Sequence, residues 1–188
     1  MATTADFRNG MVIELDRTLF SIAYFQHVKP GKGGAFVRTK LKNVLTGAVV
    51  EKTFRSGEKV EEVRLVRRPV QYSYTDGQFY YFMDSETFEQ IPLPAATIGD
   101  DQLVYLKENM MCEALSRDGD PISVELPYFV ELTVSETEPG VRGDTAQGGT
   151  KPAKLETGAV VQVPLFIETG DVVKVDRREN KYLERVTS

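Results

Sequence analysis

One cysteine, Cys112, and one histidine, His27, are all that these 188 residues hold of the side chains most often used to bind zinc or to pair a nucleophile with a base. With a single cysteine no intrachain disulfide can form, and a thiolate zinc site lacks its ligands, so a reducing cytoplasm fits. Long apolar runs are missing as well: none approaches the roughly 20 residues of a membrane span. The first residues, Met1 to Arg8, lack the apolar core of a signal peptide, so neither export nor a membrane anchor is expected. Period-two counting gives His27 and Cys112 no reason to meet. His27 reads as a strand residue and Cys112 as a small core residue. The segment Gly31-Lys32-Gly33-Gly34 lacks the Gly-x-x-x-x-Gly-Lys-Ser/Thr spacing of a phosphate loop and opens no helix. The acidic pairs Asp100-Asp101 and Asp118/Asp120 sit in no twelve-residue calcium loop. The expectation is a protein that is not an enzyme, without metal or cofactor.

The composition is that of an ordinary soluble chain, 41% apolar and 27% charged, with a formal charge of -5 that argues against a general nucleic-acid binder. The mean hides a polarity. Residues 1–64 carry net +4, residues 65–128 net -7 and residues 129–188 net -2. A molecule so divided is steered with its basic end toward phosphate.

Within the basic third, Lys29-Pro30-Gly31-Lys32-Gly33-Gly34 places one lysine among glycines. Glycine accepts the positive φ that tight turns demand and has no side chain to shield its neighbours, so Lys32 should project freely. On either side lie 19–28 and 35–42, rich in the β-branched and aromatic residues that strands favour. These make a hairpin finger with a cation at its end. Alternation in the second strand puts Arg38, Lys40 and Lys42 on one face and Val37, Thr39 and Leu41 on the other. The stripe runs back from the tip as a phosphate-tracking surface would.

Short apolar stretches recur along the whole chain, closed by turn residues such as Asn9-Gly10, Thr46-Gly47, Asp76-Gly77, Asp118-Gly119 and Glu179-Asn180. That density predicts a mainly β protein of small barrels or sandwiches. Brief helices are predicted over 85–90 and over 101–108, the latter opening on acidic residues suited to a helix N-terminus. Breaks at Arg67-Arg68-Pro69, where the charge balance reverses, and at Leu126-Pro127-Tyr128 divide the chain into three domains, 1–64, 65–128 and 129–188.

Several of these motifs together resemble bacterial translation elongation factor P. They are the finger through Phe36, the run Lys40-Leu41-Lys42-Asn43-Val44-Leu45-Thr46-Gly47, residues 82–90, Pro139 to Ala146, and Thr157 to Phe166. The resemblance spans the chain. It implies a KOW-type, SH3-like barrel followed by two OB-fold barrels, arranged as an L like a tRNA. It implies a monomer on the 70S ribosome, beside the peptidyl-tRNA and in contact with rRNA and tRNA. There the lysine finger reaches the CCA end and relieves stalling at consecutive prolines. Lys32 matches the tip residue that a lysine-modifying enzyme alters in the family, with Lys29, Pro30, Gly31, Gly33 and Gly34 forming its loop. Gly143, Asp144 and Thr145 match the motif that lies near the exit-site codon on the small subunit. Gly33-Gly34 departs from the Gly-Gln of the best-known β-lysylated members, which leaves the kind of modification open.

The competing reading is a general single-stranded RNA-binding OB-fold protein. The middle third does offer Tyr72, Tyr74, Phe79, Tyr80, Tyr81 and Phe82, but its net -7 argues against an RNA-tracking groove there, and alternation assigns most of those rings to packing.

Overall fold

The computed structural model describes residues 1–140 and 149–187. Three curled antiparallel sheets account for most of the chain. The first contains β1 (Ala2–Thr3), β2 (Val12–Leu15), β3 (Thr18–Val28), β4 (Phe36–Asn43), β5 (Val49–Arg55) and β6 (Lys59–Glu62), in the order β1-β6-β2-β3-β4-β5. The second contains β7 (Leu65–Thr75), β8 (Phe79–Asp84), β9 (Gln90–Pro94), β10 (Met111–Arg117) and β11 (Asp120–Glu125), in the order β11-β10-β7-β8-β9. The third contains β12 (Phe129–Thr137), β13 (Thr150–Leu155), β14 (Val160–Pro164), β15 (Val172–Asp176) and β16 (Lys181–Val186), in the order β14-β13-β12-β15-β16. The fold is all-β, as the turn spacing implies.

Turn chemistry sets the hairpins. Gly10, Gly47, Gly57, Gly77, Gly119 and Gly170 all take positive φ, the conformation that their Xaa-Gly pairs foretell. One tight turn carries no such mark: Asp16 (φ 47°) and Arg17 (φ 64°) join β2 to β3 with Leu15 opposite Thr18. Two left-handed non-glycine residues there replace the usual Asn-Gly.

The helical expectations need correction. Residues 85–90 form no helix. Asp84, buried at the end of β8, accepts the backbone N–H groups of Glu86 (2.8 Å) and Thr87 (3.1 Å), and Phe88 turns to φ 62°. That side-chain acceptor offers the backbone an alternative to helical bonding. The helix expected over 101–108 is a single turn, α2 (Asp100–Leu103), preceded by an unforeseen turn α1 (Ala95–Ile98) and separated from it by Gly99 at φ 91°.

The chain makes two compact units, one of residues 1–66 with 116–120 and one of residues 67–115 with 121–188. The first packs Phe7, Ile13, Ile22, Val37, Leu41 and Phe54 at its centre. In the second, Val70, Phe82 and Leu106 of the middle segment share one continuous core with Leu132, Leu155 and Val163 of the last. Arg67, Arg68 and Pro69 lie within β7.

Candidate nucleic-acid interface

The finger is the hairpin of β3 and β4, paired from Phe20↔Asn43 to Val28↔Phe36. Its inner face explains why it forms: Val37 and Leu41 are fully buried, and Thr39, also buried, donates its hydroxyl to the Lys52 carbonyl at 2.7 Å. Alternation then leaves Arg38, Lys40 and Lys42 exposed on the outer face, where the sequence pattern puts them. Beyond the last pair, residues 29–35 form the tip. Lys32 is exposed, Gly33 holds φ 108°, and a β-carbon added at Gly31 or Gly34 would meet nothing within 4 Å. The positive φ foreseen for the tip thus falls on Gly33 alone of its three glycines.

A β-bulge between Ile22 and Tyr24 changes what shares that outer face. Ile22 is buried opposite Leu41. Strict alternation counted through Ala23, with no bulge, would point Tyr24 and Gln26 inward with Ile22. The bulge reverses the phase, so Tyr24 stands opposite Lys40 and Gln26 opposite Arg38, both exposed, while Phe25 turns in against Phe7. On the far side β5 adds Glu51 opposite Lys40 and Thr53 opposite Arg38. The arginine also lies over the Phe36 ring at 5.5 Å.

The cations of the described residues divide into paired and unpaired ones. Arg8, Arg67, Arg68, Lys107 and Arg178 each hold a carboxylate at 2.6–3.4 Å. Neither Lys32 nor Arg38, Lys40 or Lys42 forms an ion pair with a described residue. A row of unpaired cations is what an anionic polymer requires.

Three family models together match most of the chain: the elongation factor P KOW-like domain over residues 3–60, the elongation factor P OB domain over 65–124 and the elongation factor P C-terminal domain over 130–185. The chain belongs to the elongation factor P family. Elongation factor P of Moorella thermoacetica is 59% identical over 98% of this chain and 100% of its own length. That of Caldanaerobacter subterraneus is 57% identical over 99% and 100%. Among solved structures, eukaryotic translation initiation factor 5A from Methanococcus jannaschii shares the fold, with a TM-score of 0.50 at 22% identity over 67% of this chain and 92% of that one. Membership makes the protein a translation elongation factor and not an enzyme.

The remaining elongation factor P motifs divide. Gly143, Asp144 and Thr145 lie outside the described residues. His27 is an exposed strand residue with its ring edge-on to Phe25 at 5.8 Å. Cys112 is buried, and burial pushes its thiol up to about 12 against a small opposing effect of Arg177. In the middle segment Tyr72 and Phe82 are core, whereas Tyr74 and Tyr81 stack on each other at 4.6 Å near the surface. Among the described residues no group of three His, Cys, Asp or Glu is placed to hold a metal ion, and no helix is long and apolar enough to cross a membrane.

Tyr24 and Gln26 are the site residues that period-two reasoning misses. Their sequence context, Ile22-Ala23-Tyr24, contains no glycine or proline to announce the bulge.

Proposed function

We propose that this factor works on the ribosome beside the peptidyl-tRNA, with Lys32 reaching the CCA end near the peptidyl-transferase centre to promote bonds between consecutive prolines. The observation that carries the reading is an exposed lysine between Gly31 and Gly33 at the tip of a hairpin, with no ion pair to a described residue, in a chain of this family. The division into domains 1–64, 65–128 and 129–188 goes with it and is supported by the spans of the three family models. So do a cytoplasmic location and a monomeric state.

Proline's ring fixes φ, so a nascent chain ending in prolines presents its carbonyl poorly to the incoming amine. Holding the tRNA end still restores the approach. Positioning is a large effect, about 7–11 kcal/mol at its extreme, so no acid, base or nucleophile is required from the factor. A long cationic side chain against RNA is enough, and modification by a lysine-modifying enzyme would lengthen it. Arg38, Lys40 and Lys42 then hold RNA backbone behind the tip, Lys29, Pro30, Gly31, Gly33 and Gly34 shape the loop, and Gly143, Asp144 and Thr145 face the small subunit and mRNA.

Cell-free translation with ribosomes from cells lacking the factor tests the reading. Added protein should raise the yield from templates with consecutive proline codons and leave proline-free templates unchanged. Equal stimulation of both would contradict it. Peptide mapping across Lys32 on native-source protein settles whether the tip is modified.

A further inference from the structure

The outer face of β3, β4 and β5 is not flat. Tyr24, Gln26, Arg38, Lys40, Glu51 and Thr53 wall a cleft of about 330 Å³, within the size range of small-ligand sites, about 300–1,000 Å³. Its parts differ in chemistry. Tyr24, 47% exposed, supplies an aromatic face, and its hydroxyl donates to Gln26 Oε1 at 3.4 Å, which leaves the Gln26 amide N–H groups to the cleft. Glu51 adds an acceptor and Thr53 a hydroxyl. Arg38 and Lys40 supply two positive charges with no ion pair to a described residue. The bulge at Ala23 is what turns the ring and the amide to the side of the cations.

A surface that only tracked RNA backbone would need the cations alone. An exposed ring, an amide and a carboxylate beside them are the groups that receive a splayed-out base, by stacking and by hydrogen bonds to its edges. We propose that this cleft takes one unpaired nucleotide of RNA, its base against Tyr24 with Gln26 and Glu51 at its edge and its phosphate on Arg38 and Lys40. The inference rests on the reading of this face as RNA-facing, and adds to it a preference for an unstacked base over duplex.

The test uses the full-length protein and labelled RNA: the hexamers rA6 and rC6 and a twelve-base-pair duplex, followed by fluorescence anisotropy over a series of salt concentrations. Wild type should bind a hexamer more tightly than the duplex. Tyr24→Ala should weaken hexamer binding roughly tenfold with the salt slope unchanged, because stacking carries no charge. Tyr24→Phe should retain most of the affinity, a rescue that a general loss of folding would not give. Arg38→Gln/Lys40→Gln should instead flatten the salt slope. If Tyr24→Ala binds like wild type while the double variant flattens the slope, the cleft assignment is overturned and the backbone-holding stripe stands. If the double variant keeps the full slope, the stripe itself is refuted. Binding to the duplex as tight as to the hexamers, or no hexamer binding at all, also overturns the proposal, the latter leaving the face to a protein partner.

Discussion

Lys32 and Cys112 are opposite cases of what surroundings do to a reactive side chain. Lys32 is exposed, so its substitution should touch no core. Cys112 is enclosed: its Sγ lies 3.7 Å from the Met110 carbonyl oxygen, and burial holds the thiol near 12. Only the thiolate attacks, so at pH 8 this cysteine should be inert. A thiol reagent such as dithionitrobenzoate should label it far more slowly in the native protein than in denaturant. Equally fast labelling in both would show that the site opens readily. Phe82 is the structural counterpart, fully buried in β8 and packed against Tyr72 at 5.4 Å. Phe82→Ala should lower stability by about 3–5 kcal/mol, measured by urea unfolding, since it leaves a cavity where an aromatic ring stood.

At the scale of elements the bulge in β3 decides which side chains share the outer face with Arg38 and Lys40. Deleting Ala23 would close the bulge and leave Ile22 facing the core with Tyr24 and Gln26 still on the outer face, because Ile22 and Tyr24 then become consecutive residues in an unbroken register. The deletion removes an exposed residue and should change stability by no more than about 1 kcal/mol. A urea midpoint that collapses in the deletion variant would show that the register on the two sides of the bulge cannot close up. The same strand marks the limit of what the sequence makes legible. Hairpins closed by Xaa-Gly pairs are readable because positive φ selects glycine, and the stripe Arg38, Lys40 and Lys42 is readable because β4 keeps a strict period of two. Tyr24 and Gln26 are not, because a bulge at an ordinary alanine leaves no compositional trace. The Asp16-Arg17 turn is hidden likewise, left-handed without glycine. The helix expected over 85–90 misled because Asp84 caps a turn by accepting two backbone N–H groups, an arrangement that helix propensity does not report. Motifs along the whole chain point to the family, where turn spacing and charge reach only three small β domains.

Over the whole molecule, several carboxylates are tied into the native structure. The backbone N–H groups of Glu86 and Thr87, with Arg68, hold Asp84 below the usual carboxylate range. The Arg178 side chain does the same for Asp176, and the Phe79 N–H with the Tyr81 hydroxyl for Asp76. Burial pushes Glu156 up, but the Thr133 N–H and Lys107 outweigh it and its carboxyl also ends low. Groups whose native pKa is depressed stabilise the fold fully above their unfolded values, near 4, and lose that contribution as pH falls through the depressed native values. Melting temperature should therefore be nearly flat from pH 7 to about pH 5 and fall steadily below about pH 4. Stability that rises on acidification through that window would contradict these assignments. Under the proposed function the tip acts on the rate of bond formation and not on attachment. This is tested most directly by single-turnover synthesis of a Pro-Pro bond on ribosomes saturated with factor, comparing the protein carrying its native Lys32 with Lys32→Ala. Lys32→Ala should keep its melting temperature and still associate with the ribosome, yet lose most of the stimulation of the Pro-Pro step. A Lys32→Ala protein that forms the bond as fast as wild type at saturation would contradict the proposed function.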